Sequence, residues 1–431
     1  MEERTAISSM GMAVVMVIML LALAFLGLPI SWALGISSYA AILAEGGFNV
    51  QIMAQKCIAG MNSFPMLAVP FFILSGDLMT AGGITRKLLN IADSLIGWVK
   101  GSVSIVCIVA SCFFGAISGS AIATASAIGG MTIPDMLKDK YSREYAAAVT
   151  TAGAICGPLI PPSIGLIVYA SMVSCSVKDL FLGTLIPGII YGIILCLVAY
   201  WKACKRNYPT KPKATKQQII QTCKKGFWAM LMPVLVLGSI FGGIATATEA
   251  SALAVAYALF VGLFIHKDLK IKDLYKIFLN SCITTSTMFI LFGTSEAVGW
   301  IIAVTNVSAF ISEWIISATT SKLLIIAFIT IVGLIFGCLM DAVVAILIMT
   351  PVFIGLAAPL GYTTIEFGVI IVTLLMLGHI TPPVGASLLL SNSIAGANIG
   401  GTIKEAIPFF FVGLGIVILL WCCPMLISFL I

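Results

Sequence analysis

The sequence predicts an all-α protein that crosses a membrane many times, and three observations lead to that fold class. Sixty per cent of its 431 residues are apolar, 9% are charged and the mean hydropathy is +1.14, whereas soluble domains carry about 25% charged residues. Many stretches of about 20 apolar residues are long enough to cross a hydrocarbon core of about 30 Å. Runs such as residues 14–30 do not alternate polar and apolar positions, which favours helices over a β-barrel.

The basic residues are concentrated in one segment between the two halves of the chain. Residues 202–225 contain eight Lys or Arg side chains and no acidic one. Short basic loops stay on the cytoplasmic side of a membrane, so this segment is predicted to be cytoplasmic. A patch that contacts anionic membrane lipid is a second interpretation of the same run. The net charge of +6 therefore indicates an orientation in the bilayer and not a nucleic-acid partner.

The two halves of the chain share a series of breaks in the same order. FFGAISGSAIATASAIGGMTIP at 113–134 precedes GPLIPPSIG at 157–165, and IFGCLMDAVVAILIMTP at 335–351 precedes GHITPPVG at 378–385. The two double prolines are offset by 221 positions, and so are the prolines at 187 and 408. This recurrence is typical of the internal repeats from which many transporters are built.

Each repeat begins with an apolar segment interrupted by small and polar residues, SGS at 118–120 and CLMDA at 338–342. The half-segments of about 10–16 residues are too short to cross, so each pair is predicted to form a re-entrant helical hairpin. Each repeat continues with a helix broken at its double proline, because proline removes an amide donor and drives the preceding residue out of helical geometry. Non-helical backbone at that depth must be buried in protein or line a cavity, so both breaks are expected to face a binding site.

The distribution of charge gives each hairpin a direction. Going backwards along the chain from the cytoplasmic segment, residues 180–201 cross the membrane to the outer side, and the double-proline helix crosses back to the cytoplasmic side. The first hairpin therefore ends on the cytoplasmic side, where the charges at 138–143 lie. No Lys or Arg lies between Lys322 and Lys404, so the second hairpin is predicted to open to the outer side. The two repeats are then inverted with their tips meeting near the midplane, as in alternating-access carriers.

Three side chains near the breaks are candidates for contacting a substrate. Ser120 lies at the first tip, where the start of a half-helix favours an anion, with helix capping as the alternative. Asp341 is an ionisable residue inside an apolar run and is costly there unless partnered; its alternative role is also an N-cap. Ser163 follows the first double proline. A carboxylate beside an anion is unfavourable, so Asp341 is expected to bind a hydroxyl or an ion. Three other acidic residues are expected to make structural contacts or lie at helix ends: Asp77, Glu249 and Glu296.

The breaks are also predicted to bind cations, because unwound carbonyls beside half-helix ends supply the oxygen ligands of Na⁺ in transporters. The alternative is that the prolines only kink a helix for packing. The first site is predicted to consist, mostly through backbone oxygens, of Gly115, Ser118, Gly157, Ile160 and Pro162. The repeat places an equivalent second site at Gly337, Met340, Gly378, Thr381 and Pro383.

Other chemistry is not indicated by the sequence. No phosphate-cradling Walker motif and no G-x-G-x-x-G after a strand is present, so ATP is not expected to drive the protein. The two histidines, His266 and His379, are far apart, and a metal cofactor needs several ligands at defined spacing. No nucleophile and base constellation is found, so the chain is predicted not to be an enzyme and to use no cofactor other than a coupling ion.

The motifs FGAISGSAIA, GPLIPPSIG, GGIATATEA (242–250), LMDA and GHITPPVG occur in this order. Together they resemble the large membrane (M, DctM-like) subunit of tripartite ATP-independent periplasmic (TRAP) transporters, from about residue 11 to the C-terminus. The resemblance implies an elevator-type secondary transporter of the bacterial inner membrane that couples the uptake of small carboxylates to a Na⁺ gradient. It also implies two partners, a small four-helix membrane subunit and a soluble periplasmic binding protein that delivers C4-dicarboxylates, sialic acid or other sugar acids. On this resemblance the cation sites fall on the residues named above, and Asp341 matches the acidic residue of the second hairpin.

The resemblance divides the chain into a scaffold and a mobile transport domain. A stand-alone ion-coupled carboxylate carrier, which needs no binding protein, and a channel remain alternatives. The predicted parts are N-terminal membrane helices, mainly scaffold (1–110); the first hairpin and discontinuous helix of the transport domain (111–201); a basic cytoplasmic loop (202–225); a second set of scaffold helices (226–322); and the second hairpin, discontinuous helix and last helix (323–431).

Overall fold

The computed structural model describes residues 2–45, 49–319 and 321–431, and over these ranges the chain is helical with no strand. Seven helices in these ranges are long and apolar enough to cross a membrane. The number is eight if Gln51–Met61 and Pro65–Ala81, which meet at 59°, are counted as one span. The prediction of an all-α, polytopic membrane protein is confirmed.

The N-terminal helices lead to one amphipathic helix that precedes the first hairpin. In that helix the residues Ile84, Leu88 and Ile91 are buried, while Arg86 and Asn90 on the opposite face are exposed. This alternation at helical spacing is the pattern of a helix lying along a surface of the protein. The five helices are α1 (Glu2–Phe25), α2 (Ile30–Glu45), α3 (Gln51–Met61), α4 (Ala68–Ala81) and α5 (Ile84–Ile96).

The first repeat consists of a hairpin, a broken helix and a long helix. Gly119 ends the first hairpin helix in the left-handed conformation (φ 62°), which glycine adopts without strain. Ser120 then begins the second hairpin helix as its N-cap. The broken helix leaves helical geometry at Ile160 and resumes after Ser163. The helices are α6 (Ser102–Ser118), α7 (Ala121–Lys138), α8 (Arg143–Ala154), α9 (Cys156–Leu159), α10 (Ile164–Val173) and α11 (Val177–Arg206).

Four further helices follow the basic segment. Two of them begin with capping boxes, Thr215 with Gln218 and Thr246 with Glu249, in which each side chain accepts an amide hydrogen that the first helical turn leaves free. Glu249 therefore lies at a helix end, as expected. The helices are α12 (Lys216–Phe241), α13 (Ala247–Phe260), α14 (Ile271–Val304) and α15 (Val307–Ala318).

The second repeat has the same order of elements as the first. Asp341 is the N-cap of its second hairpin helix, and its broken helix leaves helical geometry at Thr381 with φ −90° and ψ 129°, close to the φ −93° and ψ 119° of Ile160. Both Pro–Pro bonds are cis. The helices are α16 (Lys322–Leu339), α17 (Ala342–Phe353), α18 (Thr364–Leu377), α19 (Ala386–Ala395), α20 (Ile399–Cys422) and α21 (Met425–Ser428).

The two repeats pack against each other in a reciprocal way. The second half of each broken helix contacts the other repeat's hairpin: α10 packs on α17, and α19 packs on α7. The first hairpin helix of each repeat contacts its own break, and each repeat's long last helix crosses the other repeat's broken helix, α11 on α18 and α20 on α8. This arrangement brings both tips and both breaks into one region.

Two details differ from the sequence-based expectation. Three of the hairpin helices, α6, α7 and α16, have 17, 18 and 18 residues and are longer than the predicted half-segments, whereas α17 with 12 residues has the predicted length. Of the four, α16 is long and apolar enough to span. The first break, residues 160–163, is completely buried, but Pro382, Pro383 and Val384 of the second break are exposed. Beyond the packing that the two repeats share, α10 also contacts Pro65–Leu67 and α4.

Candidate functional site

A cavity of about 710 Å³ is lined by both hairpin tips, by both broken helices and by the pair α4 and α14. One wall carries Asp77 and Thr80 of α4 with Asn280 and Thr284 of α14. The opposite elements contribute residues 118–123 of the first tip, residues 341–343 of the second tip, and His379. A largely apolar cavity with a few converging polar and charged groups is the usual form of a small-molecule site.

The first tip is tied to the first break by backbone contacts. The amide of Ile164 donates to the carbonyl of Gly119 over 3.3 Å, and a side chain at position 119 would meet the carbonyl oxygen of Pro162. The hydroxyl of Ser120 accepts from the amide of Ala123 over 3.4 Å, so Ser120 caps α7 and lines the cavity at the same time. The capping role of Ser120 is therefore compatible with a contact to a ligand in the cavity, and that contact stays a prediction.

Thr124 joins this tip, although the sequence analysis did not select it. Its hydroxyl donates to the carbonyl of Ser120 over 2.7 Å and lies 3.3 Å from the hydroxyl of Ser118. A methyl group at Gly157 would lie 2.7 Å from the same hydroxyl. The hydroxyl of Ser118 and the backbone of Gly157, which both belong to the predicted first cation site, thus lie beside Thr124. The signal was present, because Thr124 follows Ser120 by one helical turn.

Each hairpin meets its break through a pair of glycines. A methyl group on Gly115 would overlap the Cα atom of Gly157, and one on Gly378 would overlap the carbonyl carbon of Gly337. Only residues without a side chain allow two backbones to approach this closely. The predicted glycines of each cation site are therefore in contact with each other, in both repeats.

The second tip has its own set of polar contacts. The carboxylate of Asp341 accepts from the amide of Val343 over 3.0 Å, and the amide of Gly385 donates to the carbonyl of Cys338 over 3.3 Å. His379 is buried, lines the cavity, and has its Nδ1 atom 3.4 Å from the hydroxyl of Ser387. Asp341 is thus an N-cap that also faces the cavity.

The structure places three of the residues that the sequence selected in the lining of the cavity and the others outside it. Ser118, Ser120 and Asp341 line the cavity. Ser163 does not: it is fully buried and accepts from the amide of Leu166 as the N-cap of α10. Pro383 is exposed in the second break. The cation assignments at the following backbone positions stay predictions: Gly115, Ser118, Gly157, Ile160, Pro162, Gly337, Met340, Gly378, Thr381 and Pro383.

The wall formed by α4 and α14 was not predicted from the sequence. Asp77 accepts a short hydrogen bond from the hydroxyl of Ser281, a structural contact of the expected kind, but its side chain also lines the cavity. Asn280 and Thr284 lie on the same face of α14 because they are four residues apart. This polar face becomes part of the candidate site because the tertiary packing places it opposite the two tips.

The cavity has a distinctive balance of charge. Its lining contains two carboxylates, Asp77 and Asp341, and one histidine, His379, and no Lys or Arg is among the described residues that line it. The described lining therefore offers an anion no Lys or Arg side chain. An anion can contact the amides at the starts of α7 and α17, together with any cation that is bound beside the tips.

Comparison with known proteins agrees with this geometry. Residues 17–426 match the family described as tripartite ATP-independent periplasmic transporter, DctM component. The chain is 35% identical over 399 residues to the isethionate TRAP transporter permease protein DctMQ of Oleidesulfovibrio alaskensis, an alignment that covers 92% of this chain and 63% of that protein. It is 33% identical to the 2,3-diketo-L-gulonate TRAP transporter large permease protein YiaN of Escherichia coli, over 90% of this chain and 91% of that protein.

A solved structure shows the same fold at low sequence identity. The YdaH transporter of Alcanivorax borkumensis superposes with a TM-score of 0.61 over 87% of this chain and 88% of that chain, at 11% identity. The two relatives named above are transporter permeases and not enzymes. The apolar helices and the family together make this protein a multi-pass protein of the bacterial inner membrane. The chain belongs to the DctM family, the large permease components of TRAP transporters.

Proposed function

We propose that this chain is the transport subunit of a Na⁺-coupled system that takes up small organic anions. In this proposal a soluble periplasmic binding protein delivers the anion and a small membrane subunit completes the permease. The printed names of two relatives support the substrate class, since isethionate and 2,3-diketo-L-gulonate are both small organic anions. The cavity of about 710 Å³ has room for a molecule of that size.

The charge of the cavity is the observation that carries Na⁺ coupling. An anion that enters a cavity with two carboxylates and no Lys or Arg in its described lining is repelled by the carboxylates. Cations held by backbone oxygens at the two breaks would offset that repulsion and order the tips beside the cavity. Substrate and Na⁺ would then bind together, and neither would bind well alone.

The position of the cavity supports an inward-open state of an elevator mechanism. Its lining reaches Ala81 at the end of α4 and Ile277 near the start of α14. Helix α5 links this region to the basic segment through two ion pairs, Lys87 with Asp268 just before α14 and Asp93 with Lys211 of the basic segment. That segment is expected on the cytoplasmic side. At Gly76 of α4 a methyl group would lie 3.3 Å from the Cβ atom of Ser118. Because Gly76 has no side chain to obstruct it, the first tip could move along α4 at this point.

The test is uptake of radiolabelled isethionate and sugar acids into proteoliposomes that contain this chain and its small membrane subunit. Uptake is measured with and without the cognate binding protein, under an inward gradient of Na⁺ or K⁺. The proposal requires both Na⁺ and the binding protein. Equal uptake without the binding protein would identify a stand-alone carrier, and equal uptake under K⁺ would exclude Na⁺ coupling.

Replacing Asp341 by asparagine separates the two roles of its side chain. Asparagine is as good an N-cap as aspartate, so Asp341→Asn is expected to keep thermal stability within about 1 kcal/mol of the wild type. It removes the charge with which Asp341 is proposed to bind a coupling ion or a substrate hydroxyl, and Na⁺-dependent uptake is therefore expected to fall at least about tenfold, the effect of losing one charge-assisted contact. Uptake at the wild-type rate would show that Asp341 is only a helix cap.

A further inference from the structure

A second cavity, of about 470 Å³, lies at the basic segment and is separate from the substrate cavity. Its lining comes from α5, from the stretch at 211–214 and from the start of α12. Three lysines on these three elements converge on it: Lys87, Lys211 and Lys225. This cavity has no role in the transport mechanism proposed above.

Close packing explains why the lysines converge. A methyl group on Gly226 would overlap the side chain of Ile91, so only a glycine lets α12 approach α5 this closely, with Lys225 beside Lys87. On the other wall, the amide of Lys211 donates to the carbonyl of Gly97 over 3.3 Å. The segment between α11 and α12 is therefore fixed along α5.

The cavity keeps an excess of positive charge. Lys211 pairs with Asp93 over 2.7 Å, and Lys87 pairs over 3.2 Å with Asp268, which lies outside the cavity. Lys225 makes no ion pair within the described part of the chain. Asp93 is the single carboxylate among the described lining residues, against three ammonium groups. Thr222 and Gln218 add polar side chains at the same place.

The rim of the cavity has the composition of a membrane interface. Trp98 lines the cavity, is half exposed, and stacks under the ammonium group of Lys213 at 5.0 Å. Leu95 and Phe227, which neighbour lining residues, are exposed apolar side chains. Tryptophan and lysine together are typical of the level of the lipid headgroups, and the basic segment belongs to the cytoplasmic leaflet.

We propose that this cavity binds the phosphate headgroup of an anionic phospholipid of the cytoplasmic leaflet. Lysine ammonium groups are strong point-charge ligands for phosphate, and the acyl chains would lie along Leu95 and Phe227. The lipid connects α5, the 211–214 stretch and α12, and so it stabilises the link between the two repeats. A soluble phosphate ester has the same headgroup chemistry but gains nothing from the apolar rim.

The test is thermal unfolding of the full chain in a neutral detergent, titrated with phosphatidylglycerol, phosphatidylcholine or soluble glycerol 3-phosphate. Phosphatidylglycerol is expected to raise the unfolding temperature, because it binds the folded state, and the other two are not. In Lys225→Gln the phosphatidylglycerol concentration for half the effect is expected to rise about fivefold, the contribution of one lysine near an anionic surface.

Lys224→Gln is the matched control, because this substitution removes the same charge from the same helix at a residue that does not line the cavity. It is expected to respond to phosphatidylglycerol like the wild type, and Lys225→Arg is expected to restore most of the response. Equal weakening in the variants at 224 and 225 would mean a diffuse surface effect and would overturn the site. Stabilisation by glycerol 3-phosphate as strong as by phosphatidylglycerol would overturn the assignment to a lipid.

Discussion

Gly378→Ala is expected to remove transport almost completely. The added methyl group would overlap the carbonyl carbon of Gly337, and a backbone atom cannot turn aside as a side chain can. Overpacking of a tight interior typically costs about 1–3 kcal/mol. Here the displacement falls between the second hairpin and the second break, where the predicted cation ligands lie. Gly115→Ala is expected to behave in the same way, because its methyl group would overlap Gly157.

Two glycines provide matched controls for this prediction. Gly130 of α7 and Gly415 of α20 have no atom within 4 Å of an added methyl group, so their alanine variants are expected to transport at the wild-type rate. Uptake into proteoliposomes is the measurement, with thermal unfolding as the check that each variant is folded. If Gly378→Ala transports as well as Gly415→Ala, the close approach of hairpin and break is not needed for function.

The second large effect is expected at Glu405, which connects the last helices of the two repeats. Its carboxylate lies 2.8 Å from the Nζ atom of Lys202 and also pairs with Arg206. The ammonium group of Lys202 also donates to the carbonyl of Glu405 over 2.9 Å and lies 5.2 Å from the ring centre of Phe409. Lys202 is only 7% exposed, so its charge depends on these partners.

Glu405→Gln keeps the shape of the side chain and removes its charge. Removing one partner of a buried ion pair costs about 3–5 kcal/mol because the other charge stays buried, and the partial exposure of Arg206 places the expected loss at about 3 kcal/mol. Asp135→Asn is the control, since the pair of Asp135 with Lys138 is exposed and such pairs contribute about 0–1 kcal/mol. Thermal unfolding in detergent ranks the variants. Equal unfolding temperatures for the two would contradict the assignment of a stabilising role to Glu405.

Much of the candidate site could be predicted because its parts depend on local rules. A double proline breaks a helix wherever it occurs, and the structure has non-helical backbone at Ile160 and Thr381 with nearly the same dihedral angles. Ser120 and Asp341 begin helices because short polar side chains cap free amides. The internal repeat then allowed the residues of the second predicted cation site to be assigned from those of the first.

The remaining parts depend on contacts between distant segments. Asp77 looked like an isolated polar residue, and only the packing of α4 and α14 around the tips places it in the cavity. The ion pairs of Glu405 could not be predicted either, because its partners are about 200 positions earlier in the chain. Ser163 was selected because it follows the first double proline, but the structure buries it outside the cavity as the N-cap of α10.

Sequence patterns were sufficient to predict an all-α membrane protein with two similar repeats, the positions of its helix breaks, and several of the residues that begin its helices. These properties follow from hydropathy, proline geometry and capping, which act over a few residues. The tertiary structure decided which polar groups share a cavity, that the second break is exposed while the first is buried, and that Gly226 brings lysines together at the basic segment. Those properties arise from the packing of helices far apart in the chain, which no local pattern encodes.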